Sequence, residues 1–234
     1  MIAGSIPIAY GTTRARRFRA ESVIVAADTG VQRIEACEDY AAGGVTPSLE
    51  FFKSARKAFS GDVFVMIRPR AGDFVYAEAE FKDMLQSVHI LSEEGADGFV
   101  AGFLQESGEI HAAQLKRFTD ACAGKPFTFH RAFDLVRDWR QSMDVLMQHG
   151  CSRVLSSGGQ PTAMQGRYRL KEMQEHAGER MIVLPGGSVR ASVAGQLLDT
   201  FPFRELHSAA VVHPEGAIAD ADEVRALLQL QGSR

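Results

Sequence analysis

The feature that most constrains this chain is a rhythm. Eight short apolar stretches begin near Ser5, Arg33, Val63, Gly98, Pro126, Ser152, Met181 and Arg204, at intervals of 23 to 35 residues. Each interval holds one strand, one helix and two loops. The stretches between them carry helical periodicity. In 78–94 Phe81, Leu85, Val88 and Leu91 share a face, and in 111–122 Leu115, Phe118 and Cys122 do. Eight such units favour an α/β fold of the TIM (β/α)8 barrel type over an open doubly wound sheet, and no GxGxxG or GxxxxGKS follows the first strand. No linker or low-complexity tract divides the 234 residues, so residues 1–234 are read as a single domain.

In a barrel the C-terminal ends of the strands converge on one mouth, so the side chains sent there decide the chemistry. Strand side chains alternate between faces, and the outer face must be apolar to meet the helices. In RIEAC (33–37) Ile34 and Ala36 face out, leaving Arg33, Glu35 and Cys37 inside. In VFVMIRPR (63–70) Val65 and Ile67 face out, sending Met66, Arg68 and Arg70 inward. Phe127 and Phe129 put Thr128 and His130 inside, and Leu206 does the same for Glu205 and His207. Four strands thus bring titratable groups to one end. Glu35 and Glu205 with Arg33 and Arg68 would form an ion network, since an unpaired charge inside a barrel is costly. Such a cluster is either a structural network or a binding site.

Two late turns bear on the choice. SSGG (156–159) follows the sixth strand and PGGS (185–188) the seventh. Ser157, Gly158, Gly186 and Gly187 would let backbone N–H groups approach a phosphate or carboxylate, or they merely turn the chain. Asp73 and Asp134 are expected in the mouth loops, holding Arg70 or Arg131. Arg14, Arg16, Arg17 and Arg19 crowd the segment after the first strand, as a solvated helix start or as part of the mouth.

Composition narrows the partners. The net charge of −3 gives no field to attract nucleic acid or a membrane surface, and no apolar run approaches the ~18 residues of a spanning helix. MIAGSIPIAYG does not read as a signal peptide. Cys37, Cys122 and Cys151 are odd in number and widely spaced, which suggests neither a disulfide framework nor a zinc site. The expected location is cytoplasmic.

RIEAC, GGVTPS (43–48), VMIRPRAGDF (65–74), TFHRAFD (128–134), RVLSSGG (153–159), VLPGGSV (183–189) and ELHSA (205–209) resemble, in order and spacing, the motifs of the copper homeostasis protein CutC family. The resemblance covers about residues 20 to 210. It implies a TIM barrel, a cytoplasmic homodimer or higher homo-oligomer, and a role in copper homeostasis. It also implies Cu+ binding through a first-strand cysteine paired with one at the position of Cys37. Here the first strand, IPIAYG, has no cysteine, so only half of that pair is present. Cu+ prefers at least two soft ligands, which leaves Cys37 with Met66 as a weaker companion, or with the Cys37 of a second chain. The chain also reaches its last helix (220–230) by a shorter loop than the family's, whose basic residues the arginines of 14–19 would replace.

Two functions remain open at this point. One is copper handling at Cys37. The other is an enzyme acting on a small anionic metabolite, with His130 or His207 as general acid/base, Glu35 as partner, and Arg68 and Arg70 clamping the anion. A divalent metal on His130, His207 and Glu35 is a variant of the second.

Overall fold

The computed structural model describes residues 5–10, 16–39, 42–212 and 218–232. Strands and helices alternate: β1 (Ser5–Tyr10), α1 (Arg16–Thr29), β2 (Arg33–Glu38), α2 (Leu49–Ala58), β3 (Asp62–Met66), α3 (Glu78–Glu93), β4 (Gly98–Ala101) and α4 (Ala112–Ala121). There follow β5 (Phe127–Phe129), α5 (Trp139–Gln148), β6 (Arg153–Ser156), α6 (Arg167–Ala177), β7 (Ile182–Pro185), α7 (Ala191–Thr200) and α8 (Ala221–Gly232). A 3-10 turn, Arg131–Leu135, follows β5. The helix starts are set by side chains that the sequence supplies. Ser48 caps α2 by accepting the N–H of Phe51, and Asp138 caps α5 by accepting those of Arg140 and Gln141.

Each strand pairs in parallel with the next, giving one seven-stranded sheet in the order β1 to β7. Helix α8 packs on both α7 and α1, so the helical layer returns to its beginning. Between sheet and helices lies the main core, which takes Ile34, Ala36, Val65, Ile67, Phe127, Phe129 and Leu206, as alternation expects. Phe103 anchors it, with the rings of Phe81, Phe118, Phe127 and Phe129 at 5.0 to 6.5 Å from its own. Cys122 and Cys151 are buried in this layer as small apolar residues, and burial pushes both thiols up to about 12.

The other face of the sheet holds a smaller cluster of Cys37, Phe64, Met66 and Val100. Beneath it Glu205 accepts from two arginines, Arg33 of β2 and Arg153 of β6. Arg153 Nε and Nη2 reach its two oxygens at 2.9 and 3.0 Å. Both guanidinium groups lie over the Phe64 ring, 4.9 and 5.6 Å from its centre. Gly98 is required there, because a Cβ would come within 2.6 Å of that ring. Burial pushes the Glu205 carboxyl up, but hydrogen bonds and charge from Arg153 and Arg33 outweigh it, and its pKa is lowered.

The expected barrel is met in its α/β order and its seven parallel strands. The stretch from Arg204 runs as a segment without a regular ladder to β7, which it meets where the N–H of His207 reaches Pro185 O at 2.9 Å. Pro185 has no N–H with which to carry a ladder back towards Glu205, so among the described residues the segment adds no regular strand on the β7 side. Of the arginine cluster, Arg14 and the side chains of Arg16, Arg17 and Arg19 lie outside the described residues.

Glu205→Leu is expected to destabilise the protein by about 3 kcal/mol, because it strands the buried guanidinium of Arg33 and the half-buried one of Arg153. Converting Arg33 and Arg153 to Met as well should restore most of that loss. Urea unfolding of the single and triple variants checks both, and a triple variant no more stable than the single would contradict this account.

Candidate functional site

The strand ends enclose a cavity of about 270 Å³ lined by residues that include Glu35, Arg68, His130, Arg190 and His207. Glu35 and His207 come from β2 and the extended segment 203–210. His207 Nδ1 lies 3.5 Å from Glu35 Oε1, an ion-pair distance without hydrogen-bond geometry. Burial pushes Glu35 up, yet the charge of His207 and the charge of Arg33 prevail, and its pKa is lowered. Glu35 is therefore an ionised carboxylate beneath the imidazole.

Arg68 follows β3 and is 6% exposed. Its Nη1 donates to Ala42 O and Gly44 O at 2.7 and 3.2 Å, and its Nη2 donates to Gly72 O at 2.9 Å. The guanidinium also lies over the Phe74 ring at 4.8 Å. Among the described residues no carboxylate pairs with it. Arg190, the residue before α7, is held alike: it donates to Val189 O, Val211 O and Ser208 Oγ.

His130 ends β5 and caps the 3-10 turn. Its Nδ1 accepts the N–H of Ala132 at 3.2 Å, which fixes the ring proton on Nε2. That Nε2 is buried and has no hydrogen-bond partner among the described residues. The ring packs against Phe74 at 4.8 Å. Burial, then the positive charge of Arg68, lowers its pKa to about 3, so the imidazole is neutral. His130, expected as a general acid/base, thus lies in the site as a neutral imidazole whose Nε2 is its hydrogen-bearing nitrogen.

The remaining expected residues divide. Gly187 lines the cavity with Ser188 and Val189, and Gly187 and Ser188 both take positive φ. Ser157 lies behind Arg131: its Oγ meets Arg131 Nη2 at 2.8 Å, and Asp134 Oδ2 accepts from Ser157 Oγ at 2.9 Å. Gly158 packs on Gly166, and Gly186 on Leu155 and His207. Ser157, Gly158 and Gly186 therefore shape the wall without lining it. Arg70 is outside the cavity, because Glu80 and Asp73 draw it to the start of α3 at 2.5 and 3.0 Å. Asp134 does hold Arg131, at 2.7 Å. Arg190, Phe74 and Ser208 were not foreseen; an arginine directly after PGGSV was the one signal available for the first.

Cys37 lines the cavity beside Met66, and both lie under Gly44, where a Cβ would stand 3.3 Å from Cys37 Sγ and 3.7 Å from Met66 Cε. Burial and the carboxylates of Glu35 and Glu38 push the thiol up, which disfavours the thiolate a soft metal needs. The β1 residue in register with Cys37 is Ala9. A buried Cys37 is also out of reach of a second chain's Cys37. No group of three His, Cys, Asp or Glu suited to a metal occurs among the described residues, so Glu35, His130 and His207 do not form one.

These protonation states set an acid limit on stability. The unfolded chain protonates His130 below its ordinary 6.5, whereas the native chain does so only near about 3. Between those values acid favours unfolding, and Glu35 and Glu205, lowered from 4.5, add to the loss at lower pH. The free energy of urea unfolding is expected to decline already below pH 6.5, and in His130→Gln only from near 4.5. Identical profiles for the two proteins would refute the neutral imidazole.

Comparison with known proteins agrees with this architecture. The CutC family model matches residues 18–212. A CutC family protein of Histophilus somni is 40% identical over 190 residues, covering 81% of this chain and 78% of its own. The human copper homeostasis protein cutC homolog is 36% identical over 190 residues, 81% of this chain and 70% of its own. The solved structure of CutC from Streptococcus agalactiae superposes with a TM-score of 0.77 at 27% identity, over 89% of this chain and 98% of that one. The matched residues run from α1 through the extended segment that carries Glu205 and His207, and on this ground the chain belongs to the CutC family.

Proposed function

We propose that the cavity binds a small anionic molecule bearing a phosphate or carboxylate group. The observation that carries this reading is Arg68, a buried guanidinium tied by main-chain carbonyls and paired with no carboxylate among the described residues. A buried charge without a counter-ion is costly, and an arriving anion removes that cost. The surrounding charges support the reading. Glu205 offsets Arg33 and Arg153, and Asp134 offsets Arg131, while Arg68 and Arg190 have no such partner among the described residues. Gly187, Ser188 and Val189 precede α7, whose N-terminus favours an anion. The volume, about 270 Å³, sits just below the range of roughly 300–1,000 Å³ usual for ligand pockets, so the guest is small.

We take the scaffold to be a closed barrel, with 203–210 in the eighth strand position. Support comes from α8, which packs on both α7 and α1, and from Glu205, which joins β2 to β6. No helix among the described residues is long and apolar enough to cross a membrane, and the family reading adds a cytoplasmic homo-oligomer.

A second reading follows the name of the human relative: copper as cargo, with Cys37 and Met66 as the residues that would hold Cu+. One thioether and one thiol held in its protonated form make a weak pair.

Thermal melts in phosphate, sulfate and a series of carboxylates test the first reading. The wild type is expected to be stabilised, by about 2.7 kcal/mol at 100 times the dissociation constant. Arg68→Met, of similar volume, should fold and lose the response; a wild type indifferent to every anion would end the proposal. For copper, competition against a Cu+ chelator is expected to show weak binding. One tight equivalent per chain, lost in Cys37→Ser, would reverse the order of the two readings.

A further inference from the structure

The cavity is furnished for chemistry as well as for binding. We propose that it catalyses proton transfer at the carbon next to a carbonyl group, in a small carbonyl compound that bears a phosphate or carboxylate. In this reaction His207 is the base, and His130 is the donor that holds the oxyanion formed. The inference rests on the anion-binding reading and goes beyond it by assigning a reaction class.

Two imidazoles in different settings carry the argument. His207 lines the cavity with its Nδ1 edge turned to the Glu35 carboxylate at 3.5 Å. Its Nε2 bonds no described residue. A carboxylate behind Nδ1 orients the ring and stabilises the imidazolium that forms when Nε2 takes a proton. Glu35 is thus a positioning residue. Gly186 makes the room, since a Cβ there would stand 3.2 Å from His207 Cδ2.

His130 is arranged for the opposite task. The Ala132 N–H occupies its Nδ1, so Nε2 must carry hydrogen, and that buried donor has no acceptor among the described residues. An orphaned buried donor costs about 1–3 kcal/mol, and a ligand oxygen relieves it. A neutral imidazole donor beside a base suits an enolate, because it stabilises the oxyanion without forming a competing ion pair with a carboxylate. Arg68, which shares the Phe74 ring with His130, and the 187–189 turn remain for the anionic end.

The step balances without an oxidant or co-reactant. His207 Nε2 takes the proton from carbon; the C–H electron pair becomes the new C–C π bond. The carbonyl π pair moves to oxygen, which accepts from His130 Nε2–H. After the imidazolium of His207 has exchanged its proton with D2O, delivery of a deuteron to the same carbon gives exchange; delivery to a neighbouring hydroxyl-bearing carbon, with that hydroxyl's proton passing to the oxyanion, gives an isomer.

The test uses the full chain in D2O with dihydroxyacetone phosphate, glycolaldehyde phosphate and pyruvate as probes, and follows C–H loss by proton NMR. Exchange above the buffer rate is expected for a probe whose anionic group also stabilises the protein in melts. His207→Gln should lower that rate by about 10²-fold or more while keeping the anion-dependent melting shift. Glu35→Gln should likewise lower exchange and keep the shift, a split that a purely structural role would not produce. A measurement on the unaltered protein guards against variants that fail to fold. Phosphoglycolohydroxamate, a planar enediolate mimic, should bind about 10²-fold more tightly than phosphoglycolate. Anion stabilisation without exchange of any probe, or without preference for the mimic, overturns this inference and leaves the binding reading intact. Absence of anion stabilisation removes the binding reading itself. Exchange that survives His207→Gln overturns the assignment of the base.

Discussion

Everything above the strand floor stands on the contact of Glu205 with Arg33 and Arg153. Seven strands are joined by main-chain ladders, but the segment bearing Glu205 and His207 meets β7 through a single bond. Charge then fixes it to β2 and β6, with the Phe64 ring under both cations, while Phe203 and Leu206 anchor it in the main core. Charge–charge attraction is strong in such surroundings because little solvent is present to screen it. Glu35 and His207 repeat the same two elements one period further along the strands. The register of the site is therefore inherited from the ion triad below it.

The interior is consequently sorted by height. The floor is ionic and compensated, the middle is apolar around Cys37, Phe64, Met66 and Val100, and the mouth is cationic. An apolar middle layer separates the two charged levels and keeps their dielectric low. It also explains why Cys37 packs as a hydrophobe: its neighbours are a methionine, a glycine and a carboxylate that opposes ionisation.

Much of this was legible in the sequence, because a parallel sheet covered by helices forces a simple alternation. Ile34 against Glu35, Phe129 against His130 and Leu206 against His207 were assignable from the period of two alone. Element starts followed from the same pattern together with the glycines and capping residues around it. What periodicity does not carry is the direction of a long side chain beyond its Cα. Arg70 lies two residues after Arg68 and was expected beside it, yet Glu80 on the next helix takes it away. Arg190 sits in a loop, where no alternation applies. The tautomer of His130 depends on one N–H two residues later, and the broken ladder between β7 and the segment of Glu205 depends on the nitrogen that Pro185 lacks. Each of these is a local hydrogen-bonding fact, and hydropathy does not encode it.

Among the described residues one main-chain bond joins β7 to the segment of His207, which makes a seam beside the cavity that His207 lines. Elsewhere, parting two strands means breaking a ladder cooperatively; here it means breaking one main-chain bond while Glu205 stays anchored beneath. Such a boundary is the natural place for low-energy local opening.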